Sequence, residues 1–352
     1  MSVSLYNQIS QTADARQHKL LLILPIIFLI ISKNVHSEWN AEVDTSMYHT
    51  DDIGLFSVTR RLSLLEDPTQ PVVDRPDQGS DFIYEPNAEL TWSNHNSLGE
   101  FEAGVDVGGY VFIDHSDYTH GFYQLQIGQT FFTGTEIKFA YEYVPDLFLG
   151  KNDILSGESE QEGENEELFS ERLTSHVWTI HINQHMTEQL TFRLLGRYGL
   201  RNYDAPFQYR DINFWTVGPH LEWEIAPGYE LLIGYHYERG YTNKHNARQL
   251  LDDISYINHF TSAELKIHLL EKLSAILTFD YEHNTFTSNF DEDIHSSASE
   301  NIYQGEIELL YELNRETTIK AGWQHGNRKF NFENKAVRNN NLWLGIEYGF
   351  SL

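Results

Sequence analysis

The sequence predicts an all-β fold: an antiparallel up-and-down β-barrel of about 14 strands, each crossing a membrane. Three observations carry this. Apolar and polar residues alternate through segment after segment, with no sustained helical period after residue 38. The connections between segments are short and long in turn. The last segment alternates to the chain end, with Leu342, Leu344, Ile346, Tyr348, Phe350 and Leu352 on one face and Asn341, Trp343, Gly345, Glu347, Gly349 and Ser351 on the other.

A strand of that kind needs a partner on each edge, and pairing with the first strand closes a barrel and removes the edge. The stretch resembles the C-terminal signal of Gram-negative outer-membrane β-barrel proteins of the porin-like kind, with Leu352 where that signal favours Phe. The resemblance implies that Gly345, Tyr348, Phe350 and Leu352 serve as a membrane-insertion signal. It also implies an outer-membrane location, with the barrel-assembly machinery and outer-membrane lipid and lipopolysaccharide as partners.

Composition fits. Rings are abundant, with 20 Tyr, 21 Phe and 7 Trp, yet mean hydropathy is −0.45. A barrel reconciles the two because only one face of each strand need be apolar. The absence of Cys excludes disulfides and thiolate metal sites. A net charge of −28 speaks against nucleic acid, whose phosphates call for Lys and Arg.

Residues 1–37 read as a signal peptide: Arg16 and Lys19, the apolar run Leu20–Ile31, then Val35-His36-Ser37. The run is too short to span a bilayer, which takes roughly 20 residues. Residues 38–352 form the barrel. Expected strands are Glu38–His49, Asp81–Ser93, Glu100–Asp114, Gly121–Phe132, Glu136–Val144, Arg172–Gln184, Leu190–Tyr203, Arg210–Ile225, Tyr229–Tyr241, Ser255–Leu269, Leu273–Phe286, Asn301–Leu313, Thr317–Lys329 and Asn340–Leu352. Short turns follow every second one, as at Ala226-Pro227-Gly228. Long connections include Asp51–Gly79, a candidate inward plug, and the acidic Asp146–Glu167. Within the first of these, Gly54–Leu65 is room for another hairpin, which would make the alternative count 16. An even count puts both termini on the periplasmic side, where the short turns lie.

Charged faces should point inward, since a basic residue facing lipid at mid-bilayer costs roughly 2–4 kcal/mol. About 14 strands at ~4.8 Å spacing and ~40° tilt enclose a backbone radius of about 14 Å, so the lumen is expected to be hydrated. The seventh strand carries an inward basic ladder, Arg193, Arg197 and Arg201. Two readings stay open. The ladder faces Asp106, Glu306 and Glu308 across a pore and makes a transverse field, or it neutralises lumen acids such as Glu222 and Glu238 and holds the barrel together.

Other constellations are less specific. Asp114-His115-Ser116-Asp117 sits at a rim where barrel hydrolases keep catalytic groups, but no oxyanion donor accompanies it. His181, His220, His236 and His268 lie on different strands without ligand spacing. Acidic loop tips such as Asp291-Glu292-Asp293 suit solvation or divalent ions. No cofactor is implied and no enzyme is expected. The function expected is a passive, porin-like channel for small hydrophilic solutes or cations, with an acidic, cation-preferring lumen. The alternative is a plugged or structural barrel serving surface-polymer or lipoprotein export, or a binding scaffold.

Overall fold

In the computed structural model, strand pairing closes on itself. The structure describes residues 37–59, 79–152, 168–242, 253–288, 290, 293 and 295–351. The expected signal peptide lies outside these, apart from Ser37, which opens the first strand.

The strands are β1 (Ser37–Thr50), β2 (Asp81–Asn96), β3 (Gly99–Phe112), β4 (His120–Phe131), β5 (Thr135–Asn152), β6 (Phe169–Thr187) and β7 (Leu190–Tyr203). Then come β8 (Ile212–Ala226), β9 (Tyr229–Thr242), β10 (Tyr256–Leu270), β11 (Leu273–Phe286), β12 (Ser299–Glu312), β13 (Thr317–Phe330) and β14 (Val337–Ser351). Each pairs antiparallel with its sequence neighbour, and β14 pairs with β1 from Asn40↔Ser351 to Thr50↔Asn341. The closure expected from the terminal alternation is therefore the observed one. Gly345 lies on the seam, where a Cβ would come within 2.3 Å of Ser46 Oγ.

The short turns fall where the sequence placed them. In the β8–β9 turn Gly228 takes φ +80°, which an L side chain resists. Side chains alternate along the strands between an exposed outward face and a lumen face. Leu277, Phe279, Ile307, Leu309, Leu342 and Leu344 are exposed apolar residues of the outward face, the surface a bilayer covers.

The expected count of 14 is the observed one, and the alternative of 16 falls away because Ile53–Thr59 is an α-helix, α1, and not half a hairpin. Two expectations need correction. The acidic connection begins later than Asp146, since β5 runs on to Asn152 through two bulges. At the bulge Asp146 takes φ +53° and its carboxylate pairs with Arg172 at 3.0 Å. Arg210 does not begin β8. It ends a 3-10 turn, Phe207–Arg210, and is buried.

Candidate functional site: the barrel lumen

The lumen divides into two halves of different character. Toward the turn side, inward positions stay partly open and strongly acidic. Lys320 bridges Asp44 and Glu347, the latter at 2.7 Å. Lys138 lies between Glu136 at 3.0 Å and Glu102 at 3.7 Å. Lys266 approaches Glu230 at 3.5 Å, and Arg193 approaches Glu222 at 3.7 Å. Each inward Lys or Arg of this half is thus engaged by an acid. Glu42, Glu89, Glu264 and Glu308 form no ion pair among the described residues. They accept hydrogen bonds at most from neutral groups, as Glu89 does from Gln126 Nε2 at 2.8 Å and Glu308 from Trp343 Nε1 at 2.8 Å. At the turn-side mouth a cavity of about 570 Å³ opens beside the seam, lined by Asn40, Glu42, Glu89, Arg315, Glu316 and Glu347.

Toward the loop side the lumen is filled. Inward residues here are buried, among them His236 (0% exposed), Asp280 (0%) and Arg201 (2%). Arg201 Nη1 donates to Tyr256 Oη at 2.9 Å, and its guanidinium lies 4.2 Å over the Phe214 ring. Tyr256 in turn donates to Glu238 at 2.5 Å, and Thr216 donates to the other Glu238 oxygen at 2.5 Å. Arg210 reaches Glu171 at 2.8 and 2.9 Å, and Asn152 donates to the same carboxylate at 2.5 Å. Arg328 bonds Glu300, and Asn258 bonds Glu282. Charges withdrawn from water in this way persist only when paired and hydrogen-bonded.

The first connection completes the closure. Asp52 caps α1 by accepting from the backbone N–H groups of Gly54 and Leu55. Ile53, Leu55 and Phe56 are at most 1% exposed. Ile53 and Phe56 pack among Tyr48, Tyr110, Phe112 and Trp343, while Leu55 joins Phe260 of β10 and Ile302 of β12. Three apolar side chains buried here contribute roughly 1.5–3 kcal/mol each. The start of Asp51–Gly79 therefore folds into the barrel, and the hydrated lumen expected from the sequence is corrected on the loop side, where the inward residues are buried.

The structure separates the residues expected to line the pore. Arg193 meets Glu222, and Arg201 reaches Glu238 through Tyr256, which favours the neutralising reading of the ladder. Arg197 is buried within electrostatic range of His181, His220 and His236. Asp106 stands beside Glu89 on the neighbouring strand, and Glu306 accepts from Gln324 at 2.8 Å. Of the expected insertion signal, Tyr348 and Phe350 face outward with ring centroids 5.7 Å apart, and Leu352 lies outside the described residues.

Sequence reading missed two features. His220 and His236, on adjacent strands, bring their Nε2 atoms to 2.7 Å. Their separation is set by the β8–β9 register and is invisible in spacing along the chain. The α1 plug had a signal, an apolar Ile53-Gly54-Leu55-Phe56 inside a polar connection. At the rim His115 Nδ1 bonds Asp81 at 3.1 Å and anchors the connection after β3. Among the described residues no group of three or more His, Asp or Glu is arranged to hold a metal ion.

Comparisons with known proteins agree with the architecture. Residues 198–350, from the last part of β7 through β14, match the family described as "Putative beta-barrel porin 2". No curated protein matches the sequence. The outer-membrane channel DcaP of Acinetobacter baumannii has the same fold, with TM-score 0.50 and 10% identity over 89% of this chain and 97% of that one. An anion-selective porin from Comamonas acidovorans aligns at TM-score 0.45 and 9% identity, covering 89% and 99%. OmpT of Vibrio cholerae aligns at 0.44 and 10%, covering 91% and 99%. With its closed 14-strand ring and apolar outer face, the chain has the fold of an outer-membrane β-barrel, and over residues 198–350 it is similar to that porin family.

Proposed function

We infer that the barrel is a passive, narrow channel that prefers small cations. The observation that carries this is the charge balance of the periplasmic half. Its described inward Lys and Arg are all engaged by acids, while Glu42, Glu89, Glu264 and Glu308 form no ion pair among the described residues. Surplus negative charge in a confined aqueous space raises the local concentration of cations. The packed outer half then restricts passage to small species. The test is the zero-current potential across a roughly tenfold KCl gradient in a planar bilayer, with the preference fading in concentrated salt as the Debye length falls toward ~3 Å. A positive result is a potential of cation-selective sign, and an anion-selective sign would overturn the reading.

A second reading, a plugged or structural barrel, is favoured by one observation: α1 and the buried charge layer fill the outer half. Silence at all voltages in the same bilayer would select it. Residues 1–37 are proposed as a cleaved signal peptide, so the outer-membrane form should begin at Glu38 on N-terminal sequencing.

A further inference from the structure

The outward face of β7 to β14 segregates charge. Register and alternation assign its positions, and none of them carries Asp or Glu in a chain with 52 such residues. Basic residues do occur there, all near the extracellular ends of β9 to β14: Arg239, His259, His283, Lys329, Arg338 and His325. They form one patch. His259 is the register partner of His283, His283 of Asn301, and Asn301 of Lys329. Arg239 and Arg338 extend the patch at its two ends, opposite Ile257 and Asn327. Strands lie about 4.8 Å apart, so six strands make a surface roughly 24 Å wide.

Depth is set by the rings just below. Tyr235 bonds His259 Nδ1 at 2.7 Å, Tyr281 donates to Asn301 at 2.9 Å, and the Tyr281 and Tyr303 rings lie 4.8 Å apart. Such girdles mark the membrane–water interface, so the basic row stands at headgroup level. Among the described residues no acid forms an ion pair with the cations there. Lys329 and Arg338 are exposed and form no ion pair among the described residues. Arg239 Nε is buried beside Tyr241 with no hydrogen-bond acceptor. Two described acids at this rim are otherwise occupied: Asp51 accepts from Asn340 at 2.7 and 2.9 Å, and Glu333 from the Phe330 N–H at 3.1 Å.

We propose that this patch is a docking site for the phosphorylated headgroup of lipopolysaccharide in the outer leaflet. Guanidinium and ammonium groups over an apolar wall match a phosphate above acyl chains. The site rests on the barrel's membrane placement and is independent of whether the lumen conducts.

The test uses the full-length folded protein in detergent, with native mass spectrometry reading retained lipid. The probes are bis-phosphorylated lipid A, the same lipid with its phosphates removed, and phosphatidylglycerol. Lipid A should be held at least roughly tenfold more tightly than its dephosphorylated form, and more tightly than phosphatidylglycerol. The R239Q/K329Q/R338Q variant should lose that preference, while K138Q/K266Q, which removes charge from the lumen, should keep it. Equal retention of the two lipid A forms by the unaltered protein would overturn the proposal without any variant. Phosphatidylglycerol bound as tightly as lipid A would overturn the assignment to lipopolysaccharide.

Discussion

Leu55, five residues past the end of β1, is buried against Phe260 of β10, a strand five places away round the ring. Through this contact a connection between neighbouring strands becomes part of the wall opposite it. A loop that merely covered a rim would not bury three consecutive-turn apolar residues to 1% or less.

The first prediction follows from that contact. Replacing Leu55 and Phe56 with Ala should cost about 2–5 kcal/mol of local packing each and free α1 from the lumen. Single-channel conductance should rise while the barrel stays heat-modifiable and folded. Unchanged conductance would mean that α1 does not limit passage.

The arginine ladder should split by position. Arg193 is only partly buried, and its contact with half-exposed Glu222 is 3.7 Å, so Arg193→Gln should cost at most about 1 kcal/mol. It should also deepen cation preference. Arg201→Gln removes a charge only 2% exposed and should destabilise the barrel by about 3–5 kcal/mol. Urea unfolding in detergent and zero-current potentials on the two variants check this, and similar stability losses for both would contradict it.

Assembly depends on the seam. Replacing Tyr348 and Phe350 with Asp puts charge on the outward face of β14, next to the β1 closure. Export to the periplasm should continue and barrel insertion should fail. Finding the folded form at normal level in the outer membrane would defeat the assignment of the C-terminal signal.

An acid-sensitive loop is expected between β11 and β12. Burial alone would raise the Asp293 pKa, but hydrogen bonds from His295, from the Ser288 hydroxyl at 2.5 Å and from the Asp253 N–H at 2.8 Å bring it below the model-peptide value of 3.8. A carboxylate whose pKa is lowered in the folded state stabilises it fully above its ordinary value, and the effect is lost as pH falls through the lowered one. Amide exchange at residues 286–288 and 295–299 should therefore stay slow at neutral pH and quicken only below about pH 4. Asp293→Asn should make exchange faster already at neutral pH, and identical profiles for the two proteins would refute the role of this carboxylate.

The sequence by itself determined the barrel, its strand order, the sidedness of its turns and the face each side chain takes. Those are local properties: alternation is a period of two along one strand, and turns are written in Gly, Pro and Asn. Leu190–Tyr203 and Leu273–Phe286 were legible to the residue because alternation runs unbroken between clear turn signals. β5 was not, because its bulge near Asp146 depends on Arg172 of the next strand. The partners of the inward charges were beyond reach for the same reason. Arg201 meets Tyr256, 55 positions away and three strands round the ring, inside the lumen, and His220 meets His236, 16 positions away, through the β8–β9 register. Only the tertiary structure decided that the outer half of the lumen is packed, because closure brings Leu55 to Phe260. An apolar run in a loop has no partner until the barrel has closed around it.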